Sequence, residues 1–322
     1  SADITERSHA LFVQDRLGLL GDQLQLSASF RTQFFSLKNP RFAPAESAPY
    51  GGLTFQAPAK ALTGDGSIAY FFRGTGTKIR GHVGNGYRAP SLFERFGTFF
   101  SSFGYSAIGD PRLRPERSIA VDAGLDQTLL NNRLRASATY FYTRLQEVII
   151  FDFSGAIQPE TDPFGRFGGY RNTGGGLARG VELSATSAPT ASLDLLLAYT
   201  YTNSIQRRPL VEDVIRSFVI PKHQFSLVAT QRVGRRLLVN LDLTVSSDYL
   251  APFFSSQTFS SRAYRFDGIA KADVVVSYRL PFSDFRAVRF YGKVENLFDR
   301  TYYESGYRTP GVTGVGGMKF EF

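Results

Sequence analysis

Cysteine and tryptophan are absent from this chain, methionine occurs once and histidine three times. Without cysteine there is no disulfide and no thiolate metal site, although the absence fits an oxidising compartment as easily as a reducing one. His9, His82 and His223 are far apart and form no ligand-spaced pair, so no metal site is expected from this chain alone. Neither G-x-S-x-G nor H-E-x-x-H occurs; no catalytic residue and no cofactor is expected, and the chain is not read as an enzyme. No stretch approaches the roughly 18 uninterrupted apolar residues a membrane helix requires, so any membrane contact must be made by strands or by surface. The first residues, Ser1 to Arg7, show neither an initiator methionine nor a charged-then-apolar signal segment, and the expectation is a processed chain or one cut from something longer.

What the chain does have is an excess of positive charge and a regular alternation. The net charge of +9 comes from 37 basic and 28 acidic residues. They are dispersed, with no basic helix and no nucleic-acid motif, so nucleic acid is not an expected partner. Outer-membrane lipid, with the phosphates of lipopolysaccharide, or an anionic ligand, would use the same charge. The alternation has a period of two. Leu134, Ala136, Ala138, Tyr140 and Tyr142 take turns with Arg135, Ser137, Thr139, Phe141 and Thr143. Leu237 to Ser246 and Ala270 to Arg279 repeat the pattern, and so does the end of the chain, where Met318, Phe320 and Phe322 alternate with Lys319 and Glu321. Only a half-buried strand needs that period. In a soluble sandwich the apolar face meets a second sheet; in a barrel it meets lipid while the polar face lines the lumen. Thirty Phe and sixteen Tyr would supply the interfacial girdles to which Trp often contributes.

Strands read from alternation, and breaks read from Gly, Pro, Asn, Asp and Ser clusters, give about thirteen segments. They lie near 7–18, 23–37, 66–74, 77–86, 116–130, 133–150, 170–187, 191–204, 220–233, 236–247, 267–280, 286–298 and 312–322. Short turns such as Thr75-Gly76, Asn131-Asn132 and Gly234-Arg235 alternate with long loops at 38–65, 87–115, 151–169, 205–219, 248–266 and 299–311. An outer-membrane barrel with short periplasmic turns and long outer loops has this rhythm. An odd strand count would put residue 1 outside the cell, whereas bacterial single-chain barrels have even counts. The expectation is therefore that residues 1–322 are the C-terminal part of a larger antiparallel transmembrane β-barrel. A strand hidden in 38–65, where Leu53, Phe55 and Ala57 alternate briefly, would instead make a self-contained barrel of about fourteen strands, a channel or a barrel enzyme.

Four local motifs bear on that choice. Asn85-Gly86-Tyr87-Arg88-Ala89-Pro90-Ser91-Leu92 is followed by Asp110-Pro111-Arg112-Leu113-Arg114-Pro115-Glu116-Arg117-Ser118. Tyr170-Arg171-Asn172 precedes Ala178-Arg179-Gly180-Val181-Glu182, and Val294-Glu295-Asn296-Leu297-Phe298-Asp299 leads to the aromatic terminus Phe322. In this order they resemble the NGYRAPSL, N-P-x-L-x-P-E-x-S, Y-x-N…R-G-x-E and last-hairpin segments of TonB-dependent outer-membrane receptors, with Asp110 in place of the usual Asn. The resemblance covers residues 85–322; residues 1–84 fit by pattern alone. It implies a 22-stranded barrel in the outer membrane of a Gram-negative-type cell, with nine strands and a TonB-pairing plug upstream. It also implies uptake of a scarce, large nutrient, most often a ferric siderophore, with the TonB complex and the barrel-assembly machinery as partners.

Gly84-Asn85-Gly86-Tyr87-Arg88-Ala89 also satisfies the dinucleotide fingerprint, but Arg80, His82 and Pro90 argue for an amphipathic strand leading into a loop rather than a buried strand before a helix. Pro115 lacks a donor and biases Arg114 to an extended backbone, which marks the return from a long loop into a strand. The outer loops mix rings with arginine: Phe99, Phe100, Phe103 and Tyr105; Arg166, Phe167, Tyr170 and Arg171; Tyr249, Phe253, Phe254, Phe259, Arg262 and Tyr264. Such groups can stack on a planar metal chelate and attract its negative charge, which makes Arg166, Tyr170, Arg171, Phe254 and Arg262 candidate ligand contacts. The same rings could instead form the upper girdle or pack loop against loop. Met318, Phe320 and Phe322 are the candidate assembly signal.

Overall fold

In the computed structural model, residues 2–42, 49–51, 53–101, 104–153, 155–207, 211, 214–258, 260–283, 286–304 and 306–322 are described. Thirteen strands form the wall: β1 (Ala2–Leu19), β2 (Leu24–Phe42), β3 (Ala61–Phe72), β4 (Thr77–Arg88), β5 (Glu116–Leu129), β6 (Leu134–Asp152) and β7 (Gly176–Thr190). They continue as β8 (Leu193–Gln206), β9 (His223–Val233), β10 (Leu237–Ser246), β11 (Ala270–Pro281), β12 (Ala287–Glu295) and β13 (Thr313–Glu321). Each pairs antiparallel with its sequence neighbours, and a short strand, Gly169–Thr173, adds to the far end of β6. Among the described residues no ladder joins β1 to β13.

The registers turn the alternation into two continuous faces, because residues paired across an antiparallel ladder share a side. One row runs Leu24, Tyr70, Ile79, Leu125, Ala138, Leu183, Tyr199, Phe225, Val245 and Ala270 from β2 to β11. The row beside it, on the opposite face, runs Gln25, Ala69, Arg80, Gly124, Thr139, Glu182, Thr200, Gln224 and Ser246. Leu241 pairs with Val274 on the same face as Tyr140, and Tyr140 stays 49% exposed. In water such a contiguous apolar face would be a liability; in a bilayer it is the surface that hydrocarbon covers.

All thirteen expected strands are in the wall, and the differences are at their ends. β1 and β2 run further than expected, to Ala2 and Phe42. Among the described residues of 38–65 no additional strand forms: 53–60 has no regular structure, and β3 begins at Ala61. The segment expected as one strand over 170–187 is two, broken at Gly175, whose backbone is left-handed (φ 71°) and where a Cβ would lie 2.1 Å from the Leu145 carbonyl oxygen. The last hairpin leaves β12 at Asn296, which adopts φ 52°. Its side chain donates to Arg300 O and Pro310 O and accepts from the Arg300 N–H, closing the turn on itself.

The long loops carry structure that alternation does not reveal: a helix, α1 (Leu92–Phe96), and hairpins at Thr98–Ser101 with Gly104–Ala107, Tyr249–Ser255 with Ser260–Phe266, and Tyr303–Glu304 with Tyr307–Arg308. Tyr50, Phe96 and Ala107 form a small core here, with Phe42, Phe55 and Phe164 packed around them.

Candidate functional site

The loop end of the wall is held together by the motif residues. Ser91 caps α1 by accepting from the Glu94 N–H, and Glu94 accepts in return from the Ser91 N–H, a reciprocal capping box. Glu94 also takes both outer nitrogens of Arg88, at 2.9 and 3.0 Å, while Arg88 Nε donates to Glu116 at 2.6 Å. The other oxygen of Glu116 accepts from the Ile149 N–H. One arginine and two carboxylates thus tie together α1 and strands β4, β5 and β6. Asn172 adds a fourth connection: its amide accepts from the Arg114 N–H and donates to the Arg114 carbonyl, standing in for a strand partner where Pro115 prevents one.

Beneath these lies a buried charge cluster. Arg166 is 3% exposed. It donates to both Asp162 oxygens, to Asp110 and to the carbonyls of Gly109 and Tyr170. Asp110 is shared with Arg112. Tyr50, fully buried, donates to the carbonyls of Gly97 and Gly109, and burial pushes its phenol far above the usual range. Arg95 reaches Gln56 O and Pro111 O from α1. Burial works to raise Glu94 and Asp162, but the bonds from Arg88 and Ser91, and from Arg166, outweigh it and hold both carboxyls below the usual carboxylate range.

The five candidate ligand contacts divide accordingly. Arg166 is enclosed by acceptors, and Arg171 is paired with Asp152. Tyr170 and Phe254 stand in one chain of rings, Phe93–Tyr170–Phe151–Phe153–Phe254, with centroid separations of 6.1, 4.9, 4.8 and 5.9 Å. Arg262 pairs across its hairpin with Phe253, which places it on the opposite face from Phe254. It is exposed and makes no ion pair among the described residues. The structure therefore brings Tyr170 and Phe254 together, leaves Arg262 open, and engages Arg166 and Arg171 internally. Phe103 and Phe259 lie outside the described residues. Tyr50 and Asp162 were not singled out from the sequence, and Asp110 only as a motif position; the i, i+4 spacing of Asp162 and Arg166 was the available signal.

The polar face of the wall carries a second feature. A concavity of about 510 Å³ is lined by Arg16, Gln25, Ser27, Lys78, Arg80 and His82. Arg80 spans β5 to donate to Thr139 at 2.6 Å and pairs with Asp122 and Asp126. The crossing needs Gly124, where a Cβ would lie 2.8 Å from the guanidinium carbon. His82 Nδ1 lies 3.0 Å from Asp122. At the chain's end, Met318 and Phe320 are on the apolar face, opposite Phe290 and Val288, and Phe322 is 96% exposed.

Residues 1–297 match the family model described as TonB dependent receptor-like, beta-barrel. Over 243 residues the chain is 29% identical to the iron-regulated outer membrane virulence protein of Vibrio cholerae, covering 71% of this chain and 35% of that protein. Over 218 residues it is 24% identical to the metal-pseudopaline receptor CntO of Pseudomonas aeruginosa, covering 67% and 28%. The chain thus spans about a third of the length of these curated relatives. Among solved structures, the siderophore receptor PiuA from Acinetobacter baumannii superimposes with a TM-score of 0.72 at 18% identity, over 100% of this chain and 44% of that one.

Proposed function

The chain belongs to the TonB-dependent receptor-like β-barrel family, and from that premise we propose that it is part of a receptor that takes up a ferric siderophore or a similar metal chelate with energy delivered through TonB. It is an outer-membrane β-barrel of a family of receptors rather than enzymes. In this reading residues 1–322 supply the C-terminal strands of a 22-stranded wall, and the remaining strands and the TonB-pairing plug precede them. The observation that supports the reading is the loop crown, where Arg262 is exposed and a chain of rings ends in Phe254. The names of two relatives, an iron-regulated outer membrane protein and a metal-pseudopaline receptor, point to metal chelates as the cargo class.

Uptake of a radiolabelled ferric siderophore by cells in which the intact protein is the sole receptor tests this. Accumulation is expected to require TonB, and Arg262→Gln combined with Phe254→Ala to weaken chelate binding several-fold. Uptake that persists without TonB, or passive conductance in vesicles, would favour a channel. Arg166 and Arg171 are poor probes, because replacing either also releases a structural carboxylate. We assign Met318, Phe320 and Phe322 to recognition by the barrel-assembly machinery. Deleting Phe322 from the intact protein should lower its level in the outer membrane, as read on heat-modifiability gels, and a normal level would remove the assignment.

A further inference from the structure

The two ends of the wall differ in how their charge is held. In the six long loops Arg112, Arg114, Arg166, Arg171, Arg216 and Arg265 are paired with carboxylates. The six short turns, 20–23, 73–76, 130–133, 188–192, 234–236 and 282–286, reach a net +3 from five arginines against Asp22 and Asp284. The loops are about five times longer and reach only the same +3. Three short turns repeat one arrangement. Leu130 (69% exposed) is followed by Arg133, Val233 (51%) by Arg235 and Arg236, and Phe282 (67%) by Arg286. All four arginines are exposed, and none of their side chains has an ion pair or hydrogen-bond partner among the described residues.

In a strand that crosses a bilayer, an exposed apolar residue at its end marks where hydrocarbon stops, and a guanidinium two to four residues further on sits at phosphate depth. Arginine matches phosphate oxygens with paired donors, and clustered basic residues at a membrane surface attract anionic lipid. We propose that the short-turn rim is a docking surface for the anionic headgroups of glycerophospholipids in the leaflet it faces, the periplasmic one. Arg133, Arg235, Arg236 and Arg286 contact the phosphates, and Leu130, Val233 and Phe282 set their depth. The inference is independent of the cargo.

The test is native mass spectrometry of the intact protein in neutral detergent, titrated with phosphatidylglycerol, phosphatidylethanolamine, lipopolysaccharide or inorganic phosphate. Phosphatidylglycerol is expected to be retained in preference to the other three. Each Arg→Gln substitution at the four positions is expected to reduce retention roughly fivefold. The Arg→Lys variants are expected to keep most of it, and Arg207→Gln with Arg308→Gln, in the loops, to change nothing. Each single variant is read separately, so one that fails to fold leaves the other three as the test. Equal retention of phosphatidylethanolamine, a preference for lipopolysaccharide, displacement by inorganic phosphate at equal concentration, or glutamine variants that bind like the parent would each overturn the proposal.

Discussion

Glu94 and Asp162 are the residues at which the loop crown meets pH. Both have folded-state pKa values below their ordinary ones, because Arg88 and Arg166 bind the charged forms. Each contributes stability that is complete above the unfolded carboxylate values of about 4 and is lost as pH falls through the lower folded values. Asp248, held down by its bond from Arg216, behaves alike. Through these three carboxylates the crown should be indifferent to pH between 6 and 8 and loosen in stronger acid, below about pH 4. Hydrogen exchange of the 92–113 and 158–171 amides as a function of pH would show this, and a loosening centred near neutrality would contradict it. At this scale the sequence was only partly legible. Arg166 and Arg171 look from composition like open anion contacts; in the fold they are satisfied by Asp162, Asp110 and Asp152, partners that only the folded loops bring within reach.

Elements were legible where one face of a strand differs from the other, and illegible where backbone geometry decides. Alternation is a property of two-sided strands, so all thirteen were found. The split at Gly175 and the helix at Leu92–Phe96 depend on close backbone approach and on a capping box within a loop, and neither leaves a period in the sequence. The joints between elements rest on few groups. Asn172→Ala would remove both bonds to the Arg114 backbone, at a cost of about 1–3 kcal/mol. The Arg114 amide, and those of the β5 start beside it, should then exchange about tenfold faster or more, with the wall amides of β9 to β11 unchanged. An unchanged Arg114 rate would show that the asparagine is not the clasp.

For the whole molecule, the decisive property is that the two faces never exchange roles from β2 to β13. Leu241 is at the centre of β10 on the apolar face, and Asp242 beside it is on the polar one. Leu241→Arg should cost about 2–4 kcal/mol in reversible folding into bilayers, whereas Asp242→Asn should cost little. Similar costs for both would contradict the assignment of faces. That assignment was readable from the sequence because hydrocarbon and water select residues of opposite kind at every second position. The register and the crown's internal pairing were not, since they depend on which strand or loop lies next to which.

Arg88, Glu94 and Glu116 fasten α1 and three wall strands to one another through shared groups rather than separate ones, and Asn172 clasps the Gly169–Thr173 strand to the Arg114 backbone beside them. Segments stapled in this way shift in concert or not at all. A solute that settled against them would meet a mould already set, with little freedom left to surrender. Variation among solutes at this part of the mouth would then appear in how long they dwell, far more than in how quickly they arrive.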